Sequence, residues 1–433
     1  MTTTYDPTHP RYDNEDDMRG ELLRVYDLCH GCRLCFNLCP SFPSLFEAID
    51  AHDGNVEALS VAEQDKVVDE CYQCKLCYVK CPYVPPHEWE LDFPRLMLRN
   101  TVVRRKDDGL RAKLTDQALG RTDLVGTLST MVAPLANAVT QTPGSLPRRV
   151  MEKVTGIAAE RMLPPYARQR FSTWFKKRVT PTLTRRQGSV TVFPTCLVEY
   201  QNPAIGKDLV AVYERNGVAC SLPEGAGCCG APFLHAGDFD SFLRQAGKNV
   251  PILAAEVRAG RDIVVPQPTC GYVLKKDYPD YVGGPDAALI GANTYDAAEY
   301  LMKLHKGEDT ELDTSFDGSV PESISYHVSC HLQAQNIGLK SRDLMKLTGT
   351  TIKLVNKCSG IDGTWGYRTE NYELARMVAQ PLATAIEDHD CEVVAGDCHL
   401  ANGAIEQETA RRALHPLQVM ARAYGIAEET TTS

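Results

Sequence analysis

Apolar positions change their period along the chain. Across residues 44–69 they recur at helical spacing (Leu45, Ala48 and Ile49, then Val56, Leu59, Val61, Val67 and Val68), with few strand signals. From about residue 188 onward short β-rich runs take over, at 190–193, 263–265, 324–328 and 393–394. Helical segments follow, as at 203–216 and 340–347. Strands alternating with helices predict parallel α/β units, whose loops at the carboxyl ends of the strands converge on one site. The longest charge-free stretch, 124–147, holds Pro134, Pro143, Pro147, Asn137 and Gln141, so it predicts no membrane-spanning helix. The expected architecture is a multidomain α + α/β chain. A helical domain (1–100) precedes a basic helical linker (101–187), and two α/β units follow at 188–310 and 311–427.

Composition narrows the chemistry. The 433 residues, 43% hydrophobic and 24% charged, are ordinary for a globular protein and long enough for about three domains. A net charge of -10 excludes nucleic acid as the main partner. Seventeen cysteines are the unusual quantity. Residues 1–21 carry Asp6, Asp13, Glu15, Asp16 and Asp17 and no apolar run, so no secretory signal is visible and a reducing, cytoplasmic setting is expected. Short-spaced cysteines there more often bind metal than form disulfides.

Eight of the cysteines form two runs, Cys29, Cys32, Cys35, Cys39-Pro40 and Cys71, Cys74, Cys77, Cys81-Pro82. Each reads C-x2-C-x2-C-x3-C-P, the bacterial ferredoxin spacing for a [4Fe-4S] cluster. Three thiolates on one tight turn cap three irons, and the fourth reaches the other cluster. One cluster is therefore expected on Cys29, Cys32, Cys35 and Cys81, and the other on Cys71, Cys74, Cys77 and Cys39. Two structural zinc sites would each need only one tetrahedral set, for which crossed repeats are an odd source. Haem attachment is excluded because His follows neither Cys32 nor Cys74. The helical spacer favours a helical two-cluster domain over the small β-hairpin ferredoxin.

The C-terminal half repeats itself. Cys196, Cys228-Cys229-Gly230 and Cys270 are followed 134, 130 and 128 residues later by Cys330, Cys358-Ser359-Gly360 and Cys398. In each copy a β-rich run ends in a cysteine loop, and the glycine lets backbone approach a bulky inorganic group. This order resembles the duplicated cysteine-rich CCG domains of heterodisulfide reductase subunits. Together with the ferredoxin runs it is similar to the iron–sulfur C subunits of anaerobic glycerol-3-phosphate dehydrogenases and their relatives in glycolate and lactate oxidation. The likeness includes Thr122-Asp123-Leu124, Asn202-Pro203, Gly206-Lys207-Asp208-Leu209, Gly363-Thr364-Trp365-Gly366 and Glu370-Asn371-Tyr372, and covers about residues 29–427.

The sequence also departs from that pattern. The closing C-x-x-C is missing from both copies, where Val273 and Ala401 stand, and Ser359 replaces a cysteine. Copy one keeps four thiols (Cys196, Cys228, Cys229, Cys270), enough for a third centre. Copy two keeps three (Cys330, Cys358, Cys398), with His331 and His399 beside two of them. Two readings of copy two stand open, a fourth centre with an open iron or a degenerate repeat whose thiols pack in the core. Neither copy has the five cysteines of the family's disulfide-reducing site, which demotes heterodisulfide reduction. Cys220 and Cys391 read as small buried hydrophobes.

Between 141 and 190 eleven basic residues face two acidic ones, with Trp174-Phe175 beside Lys176-Lys177-Arg178. Cations flanking aromatics suit an anionic membrane interface, and a solvated linker or a docking face for an acidic subunit is the plainer reading. No dinucleotide fingerprint, Walker A sequence or nucleophile elbow is present, so no catalytic residue is assigned. The expected role is an electron conduit. The resemblance implies a flavin-containing dehydrogenase as donor, quinone as acceptor, and a peripheral place on the cytoplasmic face of the inner membrane. The alternatives are a soluble reductase feeding a rubrerythrin-like peroxide-reducing partner and a thiol–disulfide enzyme.

Overall fold

The computed structural model describes residues 5–361 and 363–426. Residues 1–4 of the expected first domain, Asp362, and Ala427 at the end of the expected last domain lie outside the described residues. Asn14 caps α1 (Glu15–Cys32) by accepting from the Asp17 N–H, and Glu15, Asp16 and Asp17 place negative charge at its N-terminus. A Ser60–Glu63 capping box starts α3 (Val61–Asp69), which follows α2 (Ser41–Ala51). Short α4 (Leu76–Lys80) and longer α5 (Phe93–Arg104) complete the helical domain. Met18, Leu22, Phe42, Ile49 and Met97 form its core. The N-terminal region is thus the helical type expected, with the first cysteine run crossing the end of α1 and the second spanning α4.

Four helices then pass over the α/β units: α6 (Leu110–Gly120), α7 (Thr122–Met131), α8 (Ala133–Thr140) and α9 (Leu146–Thr155). They are fastened by buried cations. Arg148 donates to the carbonyls of Thr140, Ala158 and Arg161, and Arg161 donates to that of Gly366. Arg105 pairs with Asp116 and Asp238. The segment behaves as a roof more than as a linker.

Beneath it lie two parallel sheets of identical topology. The first runs β2-β1-β3-β4, from β1 (Gly188–Val192), β2 (Val218–Ser221), β3 (Asp262–Val265) and β4 (Thr294–Asp296). The second runs β6-β5-β7-β8, from β5 (Ser323–His327), β6 (Thr351–Val355), β7 (Val393–Gly396) and β8 (Ala413–Leu414). Val190, Val192, Val264 and Val265 are fully buried, as strands covered on both faces require. In each sheet the chain leaves the first strand toward one edge and builds the rest on the other side. The loops after β1 and β3, and after β5 and β7, therefore part at the switch point where α/β proteins place ligands. Cys196, Cys270 and Cys330 lie in the short helices that follow β1, β3 and β5, and Cys398 caps the helix that follows β7. The final helix (Pro416–Ala423) returns to the first core through Leu417, Met420 and Ala421, joining the copies.

Candidate metal centres

In the helical domain, Cys29 and Cys32 end α1, Cys77 lies in α4, and Cys81 caps it. Arg33 and Lys75, each following the second cysteine of its run, take left-handed backbone at φ 52° and 65°. The two turns thus coil alike. Burial first, then the sulfurs of Cys35, Cys81 and Cys32, push the Cys29 thiol well above its ordinary range. Burial, then Cys74, Cys71 and Cys39, do the same to Cys77. Each run has therefore received the fourth cysteine of the other. Tyr83 and Val84 amides donate to Cys81, which offsets part of its burial. Several buried thiols facing one another repel as thiolates, and a cationic soft metal core removes that repulsion, so this donor set fits iron–sulfur clusters. No three His, Cys, Asp or Glu side chains among the described residues close on a single-ion site.

Copy one gathers its four thiols tightly. The Cys229 and Cys270 sulfurs are 3.3 Å apart, and Cys228 accepts from the Cys196 and Cys229 thiols, which lowers its own pKa and raises theirs. Gly230, at φ 90°, points its N–H to the Cys228 sulfur at 3.4 Å. In copy two Gly360, at φ 65°, donates to Cys358 at 3.3 Å. The glycine expected from the sequence performs the same turn in both. Asp123 from α7 accepts from the Cys228 N–H at 2.8 Å and from the Tyr200 hydroxyl at 3.4 Å, and burial raises its pKa.

Copy two opens instead toward the ferredoxin domain. Tyr72 places its hydroxyl 3.4 Å from the Cys358 sulfur, and Trp365 donates to the Asp69 carbonyl at 2.8 Å. His331 bridges the parts, with Nδ1 3.0 Å from Thr269 Oγ1 and Nε2 3.1 Å from the Gln73 carbonyl. Gln267, on the loop after β3, donates to the Cys398 sulfur at 3.2 Å and accepts from the His399 N–H, so it links the two copies. A cavity of about 180 Å³ joins Tyr72 and Cys74 to Cys330, Cys358 and Cys398. Burial lowers His327 to about 4 and His331 to about 3, so both are neutral at neutral pH.

A second cavity of about 440 Å³, mostly carbon-lined, runs from α6–α9 to Cys196, Cys228, Cys229 and Cys270, with Tyr200 and His235 also in its lining. Outside it the same helices expose Leu114, Leu128, Met131, Leu135, Leu146 and Val154. A groove of about 800 Å³ elsewhere holds no cysteine and is lined by the paired Arg178–Glu214 and Arg215–Asp313.

The basic segment differs from its reading as a membrane face. Trp174 and Phe175 pack on the copy-one core, and Arg178 is buried in its pair with Glu214. Of the Lys176-Lys177-Arg178 cluster only the two lysines are exposed. The spare cysteines behave as expected, Cys391 buried and Cys220 packed on the core. Sequence reasoning passed over Tyr72, His235, Gln267 and His327, none of which lies in a recognisable metal spacing.

The fold and its thiols define a class, and comparison with known proteins agrees. A 4Fe-4S dicluster domain model matches residues 21–82, and a cysteine-rich CCG domain model matches 190–275 and again 324–401. The chain thus carries a 4Fe-4S dicluster domain and a duplicated CCG cysteine-rich domain, which make it an iron–sulfur protein with a role in electron transfer. It is 28% identical to the C subunit of anaerobic glycerol-3-phosphate dehydrogenase of Escherichia coli over 324 residues, 74% of this chain and 80% of that one. It is 26% identical to the B subunit of fumarate reductase (CoM/CoB) of Methanothermobacter marburgensis over 53% of this chain and 44% of that one. It is also 26% identical to lactate utilization protein A of Geobacillus kaustophilus over 48% of this chain and 87% of that one. Two of these relatives are named as subunits, which implies a partner subunit here.

Proposed function

We propose that the chain is the iron–sulfur subunit of a flavin-containing dehydrogenase, acting on glycerol 3-phosphate or a similar small hydroxy substrate, and that it passes electrons to a membrane quinone. The assignment of ligands is Cys29, Cys32, Cys35 and Cys81 for one cluster and Cys71, Cys74, Cys77 and Cys39 for a second. Cys196, Cys228, Cys229 and Cys270 hold a third centre, and Cys330, Cys358 and Cys398 a fourth. Bound there, iron–sulfur clusters accept and release single electrons, which a two-electron flavin donor requires. The residues set a sequence of neighbours: Tyr72 joins the second ferredoxin set to copy two, and Gln267 joins copy two to copy one.

The observation that carries the acceptor is the carbon-lined cavity ending at the copy-one thiols beneath helices with apolar outer faces. A quinone has an apolar body and a polar head, and this cavity is mostly carbon-lined along α6–α9, with the polar groups of Tyr200 and His235 in its lining. On α9, exposed Arg149 and Lys153 stand beside exposed Val150 and Val154, as in helices lying in an anionic interface. No helix among the described residues is long and apolar enough to cross a membrane, so contact would be in-plane.

The test is reoxidation of the anaerobically reduced protein by a short-chain quinone. Filling the cavity with Ser129→Phe or Ala136→Phe slows that reaction about tenfold or more, equal to about 1.4 kcal/mol of barrier, while oxidation by ferricyanide is unchanged. Equal quinone rates in both variants overturn the reading. Leu128→Asp with Leu135→Asp abolishes co-sedimentation with anionic liposomes; retained binding contradicts the membrane contact.

A further inference from the structure

Copy two lacks one thiol of copy one, and a second difference between the copies lies close by. Ser359 stands where copy one has Cys229. Three residues before the first cysteine, copy one has Phe193 and copy two has His327. Phe193 is fully buried in the core that includes Cys228 and Cys229. His327, the last residue of β5, is 3% exposed and lines the cavity shared by Cys330, Cys358 and Cys398. Its Nε2 lies 3.1 Å from the Lys357 carbonyl, an acceptor, so Nε2 carries the hydrogen and Nδ1 keeps a free lone pair. That Nδ1 is buried and has no hydrogen-bond partner. One ring nitrogen tied to a backbone carbonyl while the other is left unpartnered is the arrangement that orients metal-binding histidines.

The neighbouring histidines do not offer the same. Both ring nitrogens of His331 are engaged, by Thr269 and Gln73. The His399 ring also has a partnerless Nε2, but it faces Arg412 and His415 and is not part of the cavity lining.

We infer that His327 Nδ1 is the fourth ligand of the copy-two centre, completing a three-cysteine, one-histidine set with Cys330, Cys358 and Cys398. The inference rests on the reading of copy two as a cluster site. A neutral imidazole in place of a thiolate leaves the centre one negative charge lower and raises its reduction potential relative to an all-cysteine site. Placed beside Tyr72 and the second ferredoxin set, such a centre is a ready electron acceptor for that side of the molecule.

The test uses the full chain, purified without oxygen, with iron and acid-labile sulfide counted and pulsed paramagnetic resonance recorded on the reduced form. Wild-type protein labelled with 15N-histidine gives a 15N coupling on one cluster signal. His327→Cys keeps the iron, loses that coupling and has a lower midpoint potential, whereas His399→Gln and His331→Asn retain the coupling. With about sixteen irons per chain and no histidine coupling, or a coupling that survives in His327→Cys, His327 is not the ligand and Ser359 or water takes its place. A wild-type content near about twelve irons removes the copy-two centre itself, and the inference with it.

Discussion

The two CCG copies share strand order, cysteine loops and even the glycine N–H directed at a cysteine sulfur, yet they are covered by different things. Copy one lies under α6–α9, with Asp123 on the Cys228 amide and a carbon-lined cavity leading outward. Copy two lies against the ferredoxin domain, with Tyr72 on Cys358 and Gln73 on His331. Duplication supplied two equal scaffolds, and the segments packed on them turned one toward the α6–α9 roof and the other toward the ferredoxin domain. The substitutions follow the same division: copy one kept four thiols under an apolar roof, while copy two has Ser359 and His327 next to the ferredoxin thiols.

The comparison breaks most visibly at the cysteines. Cys228→Ser removes about four irons and leaves the ferredoxin and copy-two resonance signals intact; Cys358→Ser removes about four others and spares copy one. If either substitution strips both centres, the copies are not independent sites. Asp123→Ala leaves the buried Cys228 N–H without its acceptor and costs about 1–3 kcal/mol, seen as a lower unfolding midpoint with copy-two signals unchanged.

A smaller effect is expected at the seam between the ferredoxin domain and copy one. Burial raises Asp277 and Asp92 to about 6, above the ordinary carboxylate value, so the folded state resists their ionisation. Stability therefore falls as pH rises through that range, and the unfolding midpoint is higher at about pH 5.5 than at about pH 7.5. In Asp277→Asn the difference shrinks; an unchanged pH dependence rules the residue out. Tyr72→Phe is the mildest change. It removes one hydroxyl–sulfur contact, costs about 0.5–1 kcal/mol and shifts only copy-two signals.

The grouping of the ferredoxin cysteines was legible because their geometry is local: two C-x2-C-x2-C-x3-C runs determine a turn and a crossing, and the structure brings Cys81 to Cys29 and Cys39 to Cys77. The duplication was legible from spacing, and the strands before Cys196, Cys270, Cys330 and Cys398 from their β-branched runs. What escaped was long-range. Arg178 looked like surface charge because its partner Glu214 is 36 residues away, and Arg148 because its acceptors are backbone carbonyls, which a charge count omits. Trp174 was read with its neighbouring cations as suited to a membrane interface and is packed on the core, since local composition alone does not say which layer a short helix meets. His327 carried one faint signal, a histidine at the end of a strand, three positions before a cysteine, where copy one has Phe193.

The central claim is that all four thiol sets hold redox-active iron–sulfur centres. Iron and acid-labile sulfide measured per chain on oxygen-free protein test it most directly. The account predicts about sixteen irons with matching sulfide, at four per cluster. About eight irons, confined to the ferredoxin signals, or zinc with no sulfide, contradicts it.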